Sequence, residues 1–188
     1  MIENYLQKKQ AGEGRGDNLI LIGFMGAGKS RVGEHFAARY RMPIIDTDKE
    51  IEAAAGMAIS DIFATQGEEA FRRLETGVLE KLLKQGGRSV ISVGGGLPLR
   101  AENRALLKQL GTVVYLDVLP ETVMERIGAD VSDRPMLHGS DVMGRIISLL
   151  ESRKPYYLEA SHIIVDVNGR DVDDIVEEIH RRAVDKTC

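Results

Sequence analysis

The segment Gly23-Phe24-Met25-Gly26-Ala27-Gly28-Lys29-Ser30 restricts this chain more than any other feature. It satisfies the pattern G-x-x-x-x-G-K-S/T, follows directly on the apolar run Leu19-Ile20-Leu21-Ile22, and opens a stretch with helical spacing at 30–40. Glycines let a backbone wrap an anion with its N–H groups, and the helix N-terminus behind them adds partial positive charge. A lysine at this position reaches the outer phosphates of a nucleotide, and the following hydroxyl suits Mg²⁺. A short, continuous apolar run in front of such a loop reads as a strand buried on both faces. The segment therefore predicts a strand–loop–helix unit with a nucleotide phosphate site at its centre.

The rest of the chain repeats that alternation. Further apolar runs fall at 43–45, 90–93, 113–116 and 163–165. Between them, Leu74, Val78, Leu79, Leu82 and Leu83 share one helical face, which Gly86-Gly87 ends, and Val172, Ile175, Val176, Ile179 and Ala183 share another. Strands alternating with helices predict a parallel sheet covered on both sides. With 188 residues, 43% of them hydrophobic, the chain suits one domain with a real core and is too apolar for global disorder. No stretch approaches the ~18–20 apolar residues of a membrane span. A net charge of −4 argues against a broad nucleic-acid-binding surface. The single cysteine, Cys188, forms no internal disulfide, which fits a reducing, cytoplasmic setting. Residues 1–17 carry glycines between charges and no signal-peptide pattern, and read as a flexible extension before a single domain at 18–188. Residues 130–140, with Pro135 and Gly139, lack periodicity and read as a surface loop.

A phosphate loop alone does not specify a reaction. The guanine-selecting string Asn-Lys-x-Asp is absent, and Asp166-Val167-Asn168-Gly169 matches D-x-x-G too late in the chain to be a switch. Asp117 closes its apolar run as a strand-to-turn residue rather than as half of an Asp-Glu pair. On the acceptor side, Asp46 and Asp48 end the second run; alternation along an extended segment points both toward the strands' carboxyl ends, where open α/β sheets bind ligands. Alternatively, Asp48 caps a helix at 49–55. Gly94-Gly95-Gly96 requires a reason, either close approach of a ligand to bare N–H groups or a tight turn. Glu75, three residues after Arg72, is placed to hold that arginine on a helix. Arg134 and Arg153, taken singly, read as surface charges.

Taken together, these segments resemble the shikimate kinase family. The resemblance is carried by the loop at 23–30, Asp46-Thr47-Asp48, Ile51-Glu52 with Gly56 and Ile59, Ile62-Phe63, Gly67-Glu68, Phe71-Arg72 with Glu75, Gly94-Gly95-Gly96, Arg134-Pro135, and Arg153-x-Pro155-x-Tyr157, and it spans about 18–185. It implies a three-layer α/β/α sandwich of the P-loop NTPase type, with five parallel strands in the order 2-3-1-4-5, a substrate-binding helical segment at 51–85 and a lid at 129–140. It implies phosphoryl transfer from ATP, with Mg²⁺, to the 3-hydroxyl of shikimate, on the route to chorismate and aromatic amino acids, by a monomer. By position, Lys29, Asp48 and Arg134 are the catalytic candidates, Asp48 as proton acceptor. Gly26, Ala27, Gly28, Lys29, Ser30, Arg31, Arg134 and Arg170 fall to ATP. Asp48, Arg72, Gly94, Gly95, Gly96 and Arg153 fall to the substrate, the arginines gripping its carboxylate. Ser30 and, through water, Asp46 fall to Mg²⁺. Arg31 stands where the family usually has Thr, and 126–133 does not follow the family's lid. The alternatives are another small-molecule kinase, for gluconate or a nucleotide, and a nucleotide-dependent switch without kinase activity.

Overall fold

The computed structural model describes residues 16–127 and 141–184; the proposed N-terminal extension up to residue 15, the lid at 129–140 with Arg134, and Cys188 lie outside them. Five strands form one parallel sheet: β1 (Asn18–Ile22), β2 (Ile44–Asp46), β3 (Val90–Ser92), β4 (Gly111–Asp117) and β5 (Ile163–Asp166), in the order β2-β3-β1-β4-β5. That is the order expected from the sequence. The register is continuous: Ile20 pairs with Ile91 on one side and Val113 on the other.

Among the described residues, seven α-helices connect and cover the strands: α1 (Lys29–Tyr40), α2 (Thr47–Ala55), α3 (Ile59–Gln85), α4 (Ala101–Leu110), α5 (Pro120–Ile127), α6 (Val142–Ala160) and α7 (Val172–Val184). All of β1 is buried, so both faces of the sheet centre are covered. α1 packs with α7 over β1, β2 and β3, whereas α3, α4 and α6 associate as a second layer against β1 and β4. Gly33 brings α1 close to the sheet, since a Cβ there would touch Ile44 and Leu21 at 3.2–3.3 Å. Buried Asn18 stitches the central strand to both neighbours: Nδ2 donates to Leu110 O and Oδ1 accepts from Ser89 N–H, each at 2.9 Å.

Two expectations are corrected at the sheet's edges and on α3. Ile44 and Ile164 are exposed, because β2 and β5 are edge strands and are not covered on both faces. Leu83 is exposed as well, since the packed stripe of α3 runs through Phe71, Glu75, Val78, Leu79 and Leu82. α3 is also not one rod. Gly67 sits at φ 80°, ψ 173°, outside helical space, and divides it. Gly86, at φ 62°, ends it as expected.

Candidate active site

Because every strand runs the same way, the segments after β1, β2, β3 and β5 meet at one end of the sheet, around a cavity of about 890 Å³. Its lining carries Lys29, Arg31, Arg72, Arg126, Arg153 and Arg170 against Asp46, Asp48, Glu75 and Asp171. A chain that is negative overall thus keeps an excess of cations in this one cavity, which suits anionic ligands.

The phosphate loop forms one wall. Gly26 (φ 76°) and Gly28 (φ 88°) adopt left-handed conformations that a side chain would strain, and Gly28 caps α1. Lys29 Nζ folds back over the loop, donating to Gly23 O at 2.8 Å and Phe24 O at 3.1 Å. Ser30 and Arg31 are exposed at the first turn of α1. Two further cations frame the loop. Arg170 is held by Asp166 O and the Glu178 carboxylate. Arg126 donates to Gly26 O at 3.1 Å and Val167 O at 2.9 Å. Sequence reasoning assigned Arg126 no role; its partners lie 100 and 41 positions away along the chain, so no local pattern marks it.

Asp46 and Asp48 both reach the cavity, though not by strand alternation. β2 stops at Asp46 and α2 begins at Thr47, so Asp48 is already helical. The cap of α2 is Asp46, not Asp48: its Oδ1 accepts from Asp48 N–H at 3.0 Å and Lys49 N–H at 3.4 Å. Asp48 is left with a buried Oδ1 that has no hydrogen-bond partner among the described residues. Burial, and next the Asp46 carboxylate, push its carboxyl above the usual carboxylate range, with Lys29 opposing.

Arg72 is fixed as its spacing to Glu75 predicts. Nη1 donates to Glu75 Oε2 and Nη2 to Glu68 Oε1, both at 2.9 Å. Burial pushes the Glu75 carboxyl upward and the Arg72 guanidinium pulls it back. Gly94 and Gly96 are explained by these two neighbours. A Cβ on Gly94 would stand 2.7 Å from Asp48 Oδ1, and one on Gly96 would meet the Arg72 guanidinium. Glycine is needed there for space, and neither residue has positive φ. Arg153, read singly as a surface charge, is buried, with its guanidinium 5.6 Å over the Phe24 ring. Ile59, Phe63 and Phe71 add an apolar wall beside Arg72.

Asp117 and the D-x-x-G match stay out of the cavity. Asp117 accepts from Tyr115 Oη and Lys154 Nζ. Asp166 and Asn168 form a local turn, in which Asn168 also accepts from Leu119 N–H.

The chain matches the family profile described as shikimate kinase over residues 25–184. It is 43% identical over 163 residues to a shikimate kinase of Symbiobacterium thermophilum, covering 86% of this chain and 93% of that protein. Its fold superposes with a TM-score of 0.83 on a shikimate kinase from Acinetobacter baumannii solved in complex with shikimate, at 36% identity over 90% of this chain and 94% of the other. A gluconokinase from Sinorhizobium meliloti shares the fold alone, at 20% identity and a TM-score of 0.51. Family profile, sequence identity and superposition agree with one another, and the chain belongs to the shikimate kinase family.

Proposed function

We infer that this protein transfers the γ-phosphoryl group of ATP to the 3-hydroxyl of shikimate, yielding 3-phosphoshikimate and ADP. The observation that carries this reading is the cavity itself: it is lined by a phosphate loop, by Asp48, whose buried Oδ1 has no hydrogen-bond partner among the described residues, and by Arg72 and Arg153. Phosphoryl transfer asks a protein mainly for positioning and charge neutralisation. The loop N–H groups of residues 26–31 and Lys29 hold the phosphates, and Arg126 and Arg170 add charge on the nucleotide side. On binding, Lys29 exchanges the Gly23 and Phe24 carbonyls for phosphate oxygens. Arg72 and Arg153 grip the acceptor's carboxylate. Asp48 orients the hydroxyl and takes its proton as the oxygen bonds to phosphorus, while the bridging oxygen leaves with ADP. Arg134, by resemblance, closes over the phosphates from the lid.

Magnesium fits the residues present. Ser30 and Asp46 line the cavity as one hydroxyl and one carboxylate, the sparse hard-oxygen set that suits an ion keeping most of its waters. When bound, the ion neutralises phosphate charge. Asp46 holds its position because its Oδ1 is tied into the cap of α2. Among the described residues no helix is long and apolar enough to cross a membrane, in keeping with small, water-borne substrates.

The test is ADP release with ATP and Mg²⁺, with and without shikimate. Release that depends on shikimate supports the assignment; release that ignores it, or that gluconate or a nucleoside monophosphate restores, removes it.

A further inference from the structure

Tyr157 belongs to the Arg153-x-Pro155-x-Tyr157 segment, yet it does not line the cavity. It is fully buried in α6, stacked on Tyr115 with ring centroids 5.2 Å apart. Its hydroxyl donates to Gly95 O at 2.6 Å. The strap at 94–96 uses its other polar groups in the same inward manner. Gly94 N–H donates to buried Thr47 Oγ1 at 3.1 Å, Gly94 O accepts from Leu97 N–H, and Gly96 O accepts from Leu99 N–H. Gly95 N–H and Gly96 N–H have no acceptor among the described residues. Both residues line the cavity.

The peptide linking Gly95 to Gly96 is trans, so its C=O and N–H point in opposite directions. With the Gly95 carbonyl drawn into the interior by Tyr157, the Gly96 N–H faces out to the cavity. We propose that Tyr157 is a positioning residue for the phosphoryl acceptor: it locks this peptide plane so that the strap presents the Gly96 N–H, beside that of Gly95, to an oxygen of the hydroxy acid. Without it, the strap loses its rigid orientation, because a glycine peptide rotates with little steric hindrance. Tyr157 lies one turn beyond Arg153 on α6 and its hydroxyl also meets that guanidinium, so Tyr157→Phe touches both the strap and the carboxylate-gripping arginine, and the Gly96 amide reports on the strap alone. The proposal rests on the acceptor being shikimate or a close hydroxy acid.

The experiment compares Tyr157→Phe with Tyr115→Phe, which removes the hydroxyl of the stacked partner, bonded to Asp117, without touching the strap. In Tyr157→Phe, KM for shikimate rises about five- to tenfold, the effect of losing one well-placed hydrogen bond at a bound oxygen, while KM for ATP is unchanged. Tyr115→Phe keeps the wild-type KM for shikimate. An unchanged shikimate KM in Tyr157→Phe, or equal changes in both variants, overturns the proposal. In the wild-type enzyme, hydrogen exchange at the Gly96 amide slows when shikimate is added; exchange that does not respond also overturns it, whether or not Tyr157→Phe folds. Failure of the substrate reading is distinguishable, since the wild type would then show no dependence on shikimate at all.

Discussion

A Cβ on Gly96 would stand 2.5 Å from Arg72 Nη1 and 2.9 Å from Nη2. The guanidinium therefore occupies the space that glycine leaves, and Glu75 and Glu68 hold it there from the far side. Strap and clamp are one device built from β3 and α3. Gly96→Ala displaces the guanidinium from its carboxylate partners. The expected result is a rise in KM for shikimate of about tenfold or more, the loss of one charge-assisted contact, with KM for ATP unchanged. Steady-state kinetics varying each substrate in turn decides it; equal effects on both would mean the loop has moved as well.

Asp48→Asn separates activity from stability. A positioned general base contributes about 10²- to 10⁴-fold, so kcat should fall by that order. Asp48 Oδ1 is buried with no partner among the described residues, so replacing the carboxylate with a neutral amide relieves desolvation. The thermal midpoint at pH 7 should not fall. A loss of both activity and several degrees of midpoint would make Asp48 a structural residue instead.

Arg126 braces the phosphate loop through Gly26 O and the end of β5 through Val167 O. Arg126→Ala should raise KM for ATP about five- to tenfold and leave KM for shikimate as it was, because charge-assisted hydrogen bonds on the nucleotide side alone are removed. Calorimetric titration with ADP gives the same answer without turnover.

Glu178 supplies a pH-dependent term in stability. Partial burial acts to raise its pKa, but hydrogen bonds from Arg170 and Arg182 outweigh it, and the carboxyl lies below its ordinary value. A depressed pKa stabilises the fold above the unfolded value, about 4.3 for Glu, and that contribution is lost as pH falls through the folded value. Glu178→Gln should therefore lower the midpoint at pH 7, by about 2–4 °C or less for an ion-pair network near the surface. The difference from wild type should shrink as pH falls below the ordinary carboxylate range. A gap that persists in acid would place the effect in packing.

The sheet order and most acceptor-side residues were implied only by the family resemblance, because strand order is set between distant segments; the phosphate loop and the strand–helix alternation were legible from short-range signals: the loop at 23–30, apolar runs, helical spacing. Arg72 and Glu75 were legible for the same reason, as a pair three residues apart on one helix. What remained hidden was set across the chain. Alternation was applied to Asp46 and Asp48, but a helix starts at Thr47, so its period governs the second carboxylate and the cap falls to the first. The triple glycine left ligand and turn as alternatives; the space it opens is taken by side chains from positions 48 and 72. Arg153 looked like a surface charge because nothing nearby announces that its helix presses it onto Phe24.

The break at Gly67 gives the acceptor side two separate mountings. A Cβ at Gly67 would meet nothing within 4 Å, so its backbone angles, not crowding, reserve the position for glycine. The short front rod bears Ile59 and Phe63; the long rear rod bears Phe71, Arg72 and Glu75. The Phe63 and Phe71 rings, their centroids 4.7 Å apart, bridge the break, so the two rods meet in one apolar wall while the rear rod alone carries the Arg72–Glu75 pair.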